Sequence, residues 1–203
     1  HLSAYQLTIE PGTRFHTLAR KGLLDLPDEE AAADMFELTS KLCAAAGLPL
    51  YEISNHARPG AESRHNLQYW TYGDYAGVGP GAHGRRGGRA TLRLRRPESW
   101  LEAVQADGHG LESEEPVDPA AAAEEALLMG LRLAQGIDPM AFAARTGLPL
   151  DAVAPPAARA RLEDLGLLAP GPFLKATETG RLVTNRLILE LASGLKQSAA
   201  MPS

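Results

Sequence analysis

The sequence predicts an α/β protein in two parts: βα units of a barrel-like parallel sheet over residues 1–110, then a small winged-helix-like α+β module over 111–203. Three observations lead there. Strand and helix patterns alternate through the first half. Composition breaks at HGLESEEPVDP, residues 109–119, an acidic, proline-containing stretch that reads as a linker. Beyond it come three helix patterns, a hairpin and a further helix, the order of a winged helix.

HLSAYQLTI, residues 1–9, runs apolar like a buried strand and EPGT ends it. A sheet strand at the first residue leads us to expect a piece of a longer protein. Asp28 after Pro27 is set to cap a helix that Gly47 and Pro49 stop, with Ala32, Met35, Phe36, Thr39, Leu42, Cys43 and Ala46 recurring on one face. LPLYEIS then reads as a strand, NHARPGAES as a loop, and a further strand is expected from His65. ATLRLR is another strand, and PESWLEAVQADG a helix with Pro97 in its first turn and Gly108 past its end. In the second half Asp118 starts a helix expected to reach Gly136, and Asp138 one that stops at Gly147. A third runs from about Pro155 to Leu165, LGLLAPGPFLKAT forms a hairpin, and Thr177 caps the last helix.

With 203 residues, 44% hydrophobic and 22% charged, the chain can bury a proper core. Nothing approaches the roughly 18 apolar residues of a membrane span, nothing reads as a signal peptide, and the expected location is the cytoplasm. A net charge of −5 argues against nucleic acid, although Arg85, Arg86, Arg89, Arg93, Arg95 and Arg96 make a local basic run. The expected recognition helix, PPAARARLEDLG, carries acids beside its arginines, which again disfavours DNA. One cysteine, Cys43, excludes an internal disulfide and a multi-cysteine zinc or iron–sulfur site, and its helical face makes it a core residue.

Residues 64–84, RHNLQYWTYGDYAGVGPGAHG, hold the most concentrated chemistry. Two histidines, three tyrosines, a tryptophan and five glycines lie in this short stretch, as a pocket for a planar ligand requires. Residues 74–78 read as a short strand feeding a glycine loop. Gly77, Gly79 and Ala82 match a dinucleotide fingerprint in form, but no helix pattern follows, so that reading fails. A tight corner without ligand is the competing account of the glycines.

Taken together, HLSAYQLTIEPGT, YEISNHARPG, SRHNLQYW followed by GDYAGVGPGAHG, LEDLGLL and TETGR are specific. They resemble the oxygen-independent coproporphyrinogen III oxidase family of radical S-adenosylmethionine (SAM) proteins, and within it the HemW-type haem chaperones. His65, Asn66, Tyr69 and Trp70 fit the chaperone branch. The resemblance implies the second half of a partial radical SAM (β/α) barrel followed by a HemN/HemW-type carboxyl-terminal domain. It implies haem binding and delivery to haem-accepting proteins, with SAM and a [4Fe–4S] cluster as cofactors of the intact form. A homodimer is compatible with it. The cluster's CxxxCxxC loop is missing here, so the cluster would not be held by this chain. The alternative function is the oxidase itself, decarboxylating coproporphyrinogen III in porphyrin biosynthesis.

By that resemblance Gln6, Thr8, Gln68 and His83 correspond to SAM-lining positions, and His65, Asn66, Tyr69 and Trp70 to the haem site. His65 is the first choice as haem-iron ligand, because a neutral imidazole nitrogen suits iron and Tyr69 and Trp70 offer faces or edges to a porphyrin. Asn66 could orient the ring or bond a propionate, and His83 is a rival ligand. His1, His16, His56 and His109 are expected to be structural or surface residues. Glu10 and Glu52 are expected to pair with Arg14 or Arg58.

Overall fold

The computed structural model describes residues 1–198, and the chain divides into two compact units, one over His1–Ser63 and one from Arg64 onward. In the first, β1 (Leu2–Ser3), α1 (Arg14–Arg20), α2 (Glu29–Ala45), β2 (Leu50–Glu52) and β3 (Asn55–His56) follow in order. The sheet order is β1-β3-β2 and both pairings are antiparallel. Helix α2 matches its expected limits. The Asp28 carboxylate accepts the Ala31 amide at 2.8 Å, and Cys43 is buried on the predicted face, while Met35 and Leu42 of that face are exposed.

The long first strand and the parallel ladder are not seen. β3 offers a two-residue edge, so pairing runs from Leu2↔His56 through Ser3↔Asn55 to one last bond, Ala4 N–H to Ser54 O at 2.8 Å. Without partner backbone beyond that point, residues 4–10 leave the sheet and Tyr5 and Leu7 are exposed. β2 and β3 are joined by a tight turn, which antiparallel neighbours permit and parallel ones cannot use. Two further expectations are decided in the same turn. His56, expected in a loop as a structural or surface residue, is buried in β3 and so is structural. Glu52, also buried, accepts from the Asn55 amide group rather than meeting Arg58, and the Asn55 carbonyl oxygen in turn accepts from the Ser3 hydroxyl.

The second unit opens with α3 (Arg64–Trp70), β4 (His83–Arg86), β5 (Arg89–Arg93), α4 (Pro97–Asp107) and β6 (Leu111–Pro116), the strands forming an antiparallel sheet β4-β5-β6. The acidic stretch expected as a linker is therefore β6. One of its acids is answered from β5 across the ladder: the Arg89 Nε–H donates to Glu114 Oε1 at 2.9 Å and its guanidinium also to Glu114 O. α4 ends as expected, with Gly108 left-handed. Gly110, just beyond, lies so close to the Trp100 ring that a methyl group there would collide with it.

Helices then dominate: α5 (Pro119–Gly130), α6 (Pro139–Thr146), a 3-10 turn (Leu150–Ala152), α7 (Pro156–Asp164), the hairpin β7 (Leu168–Ala169) and β8 (Lys175–Ala176), α8 (Glu178–Leu182) and α9 (Thr184–Ser198). Asp118, Asp138 and Thr177 all accept amides of their first turns, the caps expected of them. α5 stops six residues early. Ile137 bridges Leu174 beside the hairpin and its side chain lies where a Cβ of Gly130 would stand, so the chain must turn between these two points. Leu127, Leu131, Phe142, Val153, Leu162, Leu168, Leu187 and Leu191 fill one core. Burial of each such leucine stabilises by about 1.5–3 kcal/mol.

Gly180, in the TETGR motif, packs in direct contact with the backbone carbonyl of Leu167 as α8 crosses the hairpin. Gly180→Ala forces rigid backbone apart and should destabilise by about 1–3 kcal/mol. A lowered urea midpoint with an unchanged slope checks this, and a midpoint within error of the parent refutes the close packing.

Candidate functional site

Residues 65–70 form α3, not a strand, and the cause is local. His65 and Tyr69, four apart, meet edge to face with centroids 4.8 Å apart at 70°, and Tyr69 also packs on Tyr75 at 4.6 Å. The helix closes in a Schellman turn: the Gly73 N–H donates to Gln68 O at 2.8 Å and the Tyr72 N–H to Tyr69 O at 2.9 Å. Tyr72 therefore sits at φ +57°, a left-handed conformation usually left to glycine. Among the described residues it alone of the non-glycines has a positive φ.

That strain turns the Tyr72 ring inward. Its hydroxyl donates to Glu125 Oε2 at 2.9 Å, and the buried Arg85 guanidinium lies 3.3 Å over the ring centroid. Arg85 also donates to Gly73 O at 3.2 Å and stands 3.6 Å from Glu125. Burial, then the bond to Glu125, pushes the Tyr72 hydroxyl up to about 12, and Arg85 partly opposes this.

Beside this cluster is a cavity of about 290 Å³, walled by Trp70 and Tyr72 from the end of α3, Ala126 and Gly130 of α5, Phe142 and Arg145 of α6, and Phe173 of the hairpin loop. The Arg145 guanidinium donates to Thr71 O across it. Arg132 stands 6.0 Å over the Trp70 ring and donates to Asn185 Oδ1 at 3.1 Å and to Leu128 O. Among the described residues neither Arg132 nor Arg145 has a carboxylate partner within salt-bridge distance. Burial lowers the pKa of Arg132.

The four residues expected to form one binding surface divide between two faces of α3. At about 100° per residue, His65 and Tyr69 share one face, Asn66 and Trp70 the next, and His65 and Trp70 stand about 140° apart. His65 is exposed, whereas Trp70 lines the cavity. Gln68 donates to Asp74 O at 2.7 Å and so serves the loop that follows. His83 is exposed on β4, opposite Leu92. In the other unit Gln6 and Thr8 are exposed, and the Gln6 amide donates to Ala32 O at 3.0 Å.

Residues 74–78 form no strand, because only Tyr75 pairs, with Arg85. Gly77 abuts His83 O, and a Cβ on Gly84 would lie 2.8 Å from Gly77 N and 2.6 Å from Thr91 Oγ1. These two glycines let backbone meet backbone, as the tight-corner reading required. Gly79 and Gly81 hold positive φ at the tip of the loop. No group of three or more His, Cys, Asp or Glu side chains among the described residues could hold a metal ion.

Residues 117–183 match the HemN C-terminal domain. The chain is 37% identical over 193 residues to Heme chaperone HemW of Escherichia coli, covering 93% of this chain and 48% of that protein. It is 37% identical over 155 residues to Heme chaperone HemW of Bacillus subtilis, covering 76% and 41%. The chain belongs to the HemN/HemW family. It is also 43% identical over 145 residues to the Bos taurus protein named Radical S-adenosyl methionine domain-containing protein 1, mitochondrial, covering 68% and 33%. The chain thus spans half or less of the length of these curated relatives. Among solved structures, E. coli HemN, titled a radical SAM enzyme and coproporphyrinogen III oxidase, superposes with a TM-score of 0.58 over 83% of this chain and 42% of its own, at 15% identity. The fold is therefore the C-terminal part of the HemN fold.

Within this HemN/HemW chain the sequence pattern did not mark Tyr72, Arg85, Glu125, Arg132 or Arg145. Glu125 and Arg145 lie in helices and Arg132 in the turn after α5, all without a motif, and only the arginine run hinted at Arg85. The raised Tyr72 hydroxyl fixes a sign. Its neutral form is favoured in the fold, so that contribution is complete below pH about 10 and is lost as pH rises from about 10 to 12. Tyr72→Phe should cost about 1 kcal/mol at pH 7 and remove that alkaline loss. Urea midpoints followed across this range check both, and parallel curves for parent and variant would overturn the assignment.

Proposed function

We propose that the chain is a haem-handling part of a HemW-type haem chaperone, which binds haem and passes it to haem-requiring proteins. The observation that carries this reading is the exposed His65 imidazole, braced edge-on by Tyr69 at one face of α3. A neutral imidazole presented on a helix is a ready axial ligand for haem iron, and the tyrosine edge limits its rotation. The identity to proteins named Heme chaperone HemW supports it from sequence. Asn66 and Trp70, on the adjacent face, would meet a different part of the tetrapyrrole.

The residues present do not fit an iron–sulfur cluster, for the one thiol, Cys43, is buried in α2 and has no second cysteine to work with. Three cysteine thiolates would be needed, so no radical step is assigned to this chain. We assign the cluster and SAM to the intact family member, with Gln6, Thr8, Gln68 and His83 kept as candidate SAM contacts. In that protein residues 1–110 would complete a partial radical SAM barrel and 111–203 a winged-helix-like domain. The exposed apolar side chains of the first unit, Tyr5, Leu7, Met35, Leu38 and Leu42, support that reading, since a barrel wall would cover them. Haem-accepting proteins and a second copy of the chain are the proposed partners, and the cytoplasm the proposed location. No helix among the described residues is long and apolar enough to cross a membrane.

The second reading is oxidative decarboxylation of coproporphyrinogen III, favoured by the likeness to the HemN fold. Conversion of coproporphyrinogen III to protoporphyrinogen by a full-length version under anaerobic reducing conditions would favour it over the chaperone.

Titration with haem should give a Soret shift in the parent, and His65→Ala should weaken binding by at least about tenfold and change the ligand-sensitive bands. An unchanged Soret band in the variant removes His65 as the ligand.

A further inference from the structure

The cavity beneath Trp70 takes no part in iron ligation by His65, and its chemistry is distinct from that of the His65 face. Much of its wall is aromatic or aliphatic, with Trp70, Phe142, Phe173, Ala126 and Leu133, and Thr71, Tyr72 and Gln135 add polar groups. Its one acidic wall residue, Asp138, is engaged elsewhere, accepting the Met140 and Ala141 amides as the cap of α6. Two guanidinium groups stand at the cavity. Arg145 lines it and Arg132 covers Trp70, and neither has a carboxylate partner among the described residues.

Arg132, half-buried and bonded only to neutral oxygens, has given up water without gaining a counter-charge, whereas Arg145 is exposed at the cavity wall and bonds the neutral Thr71 carbonyl. Guanidinium groups are matched to planar carboxylates, and aromatic walls to flat apolar bodies. A ligand that satisfies both has carboxylates along one edge of a flat ring system.

We propose that this cavity takes the propionate-bearing edge of a tetrapyrrole, Arg145 pairing with a carboxylate while Trp70, Phe142 and Phe173 hold the ring edge. This rests on the haem-binding reading but assigns a separate contact. At about 290 Å³ the cavity receives an edge and leaves the rest of the macrocycle outside. His65 projects about 140° away around α3, so a tetrapyrrole seated here keeps its iron clear of that imidazole. Iron held in this pose is open to a ligand from a recipient protein, and no bond to this chain must break before that ligand binds.

Metal-free protoporphyrin IX isolates the contact, because it has the propionates and no iron for His65 to ligate. Its binding, read by tryptophan quenching and porphyrin fluorescence, should be at least about tenfold tighter than that of its dimethyl ester. Arg145→Gln should abolish that preference, Arg145→Lys should restore part of it, and His65→Ala should leave it intact. Phe173→Ser, which alters a half-exposed wall, should weaken both ligands alike; circular dichroism and melting confirm that each variant is folded. Equal binding of acid and ester by the parent overturns the proposal, as does an undiminished preference in Arg145→Gln. If haem itself fails to bind the parent, the haem-binding reading falls; if haem binds through His65 while Arg145 is indifferent, only the propionate contact falls.

Discussion

The larger unit depends on one buried cation. Arg85 leaves β4 and lies against the Tyr72 ring, bonds the Gly73 carbonyl and reaches Glu125 on α5, so one guanidinium ties a helix end, a sheet and a second helix. A cation over an aromatic face is worth about 2 kcal/mol when desolvated. Glu125 is half exposed, so it supplies partial charge balance while the ring and the carbonyl take over the remaining hydration of Arg85. The left-handed backbone at Tyr72 is the cost of this junction, of order 1 kcal/mol, and it is offset locally by the two bonds of the Schellman turn. The same turn carries Trp70 to the cavity, so the orientation of the candidate site follows from it.

What the sequence revealed and what it hid divide along physical lines. Features set within a few residues were legible: the caps at Asp28, Asp118, Asp138 and Thr177, the stops at Gly108 and Gly147, the burial of Cys43, and the hairpin around Pro170 and Gly171. Features set by distant partners were not. The 109–119 stretch looked like a linker because its acids lack local partners, yet Glu114 meets Arg89 of β5 across a ladder. Residues 65–70 lack the length of a confident helical period, and what made them a helix was the His65–Tyr69 contact and the turn at Gly73. His56 read as part of a loop, but the short β3 pairs it with Leu2 and buries it.

The candidate site was legible in its residues and not in its arrangement. The sequence pointed to His65, Asn66, Tyr69 and Trp70 as a group, and their helical spacing spreads them over two faces. The exposed His65 imidazole stands on one face, and the aromatic hollow with Arg145 in its wall lies by the other. The glycines nearby, which first suggested a cradle, instead bring Gly77 and Gly84 against neighbouring backbone and hold β4 in register.

Cys43 has a consequence of another kind. It is the chain's lone thiol, buried near the carboxyl end of α2. An alkylating reagent therefore reaches the sulfur chiefly when α2 lifts from its neighbours, and the rate of labelling reports local opening in the first unit. Nature has in effect left a single-site probe of that unit's integrity, one that needs no engineered cysteine and registers nothing from the rest of the molecule.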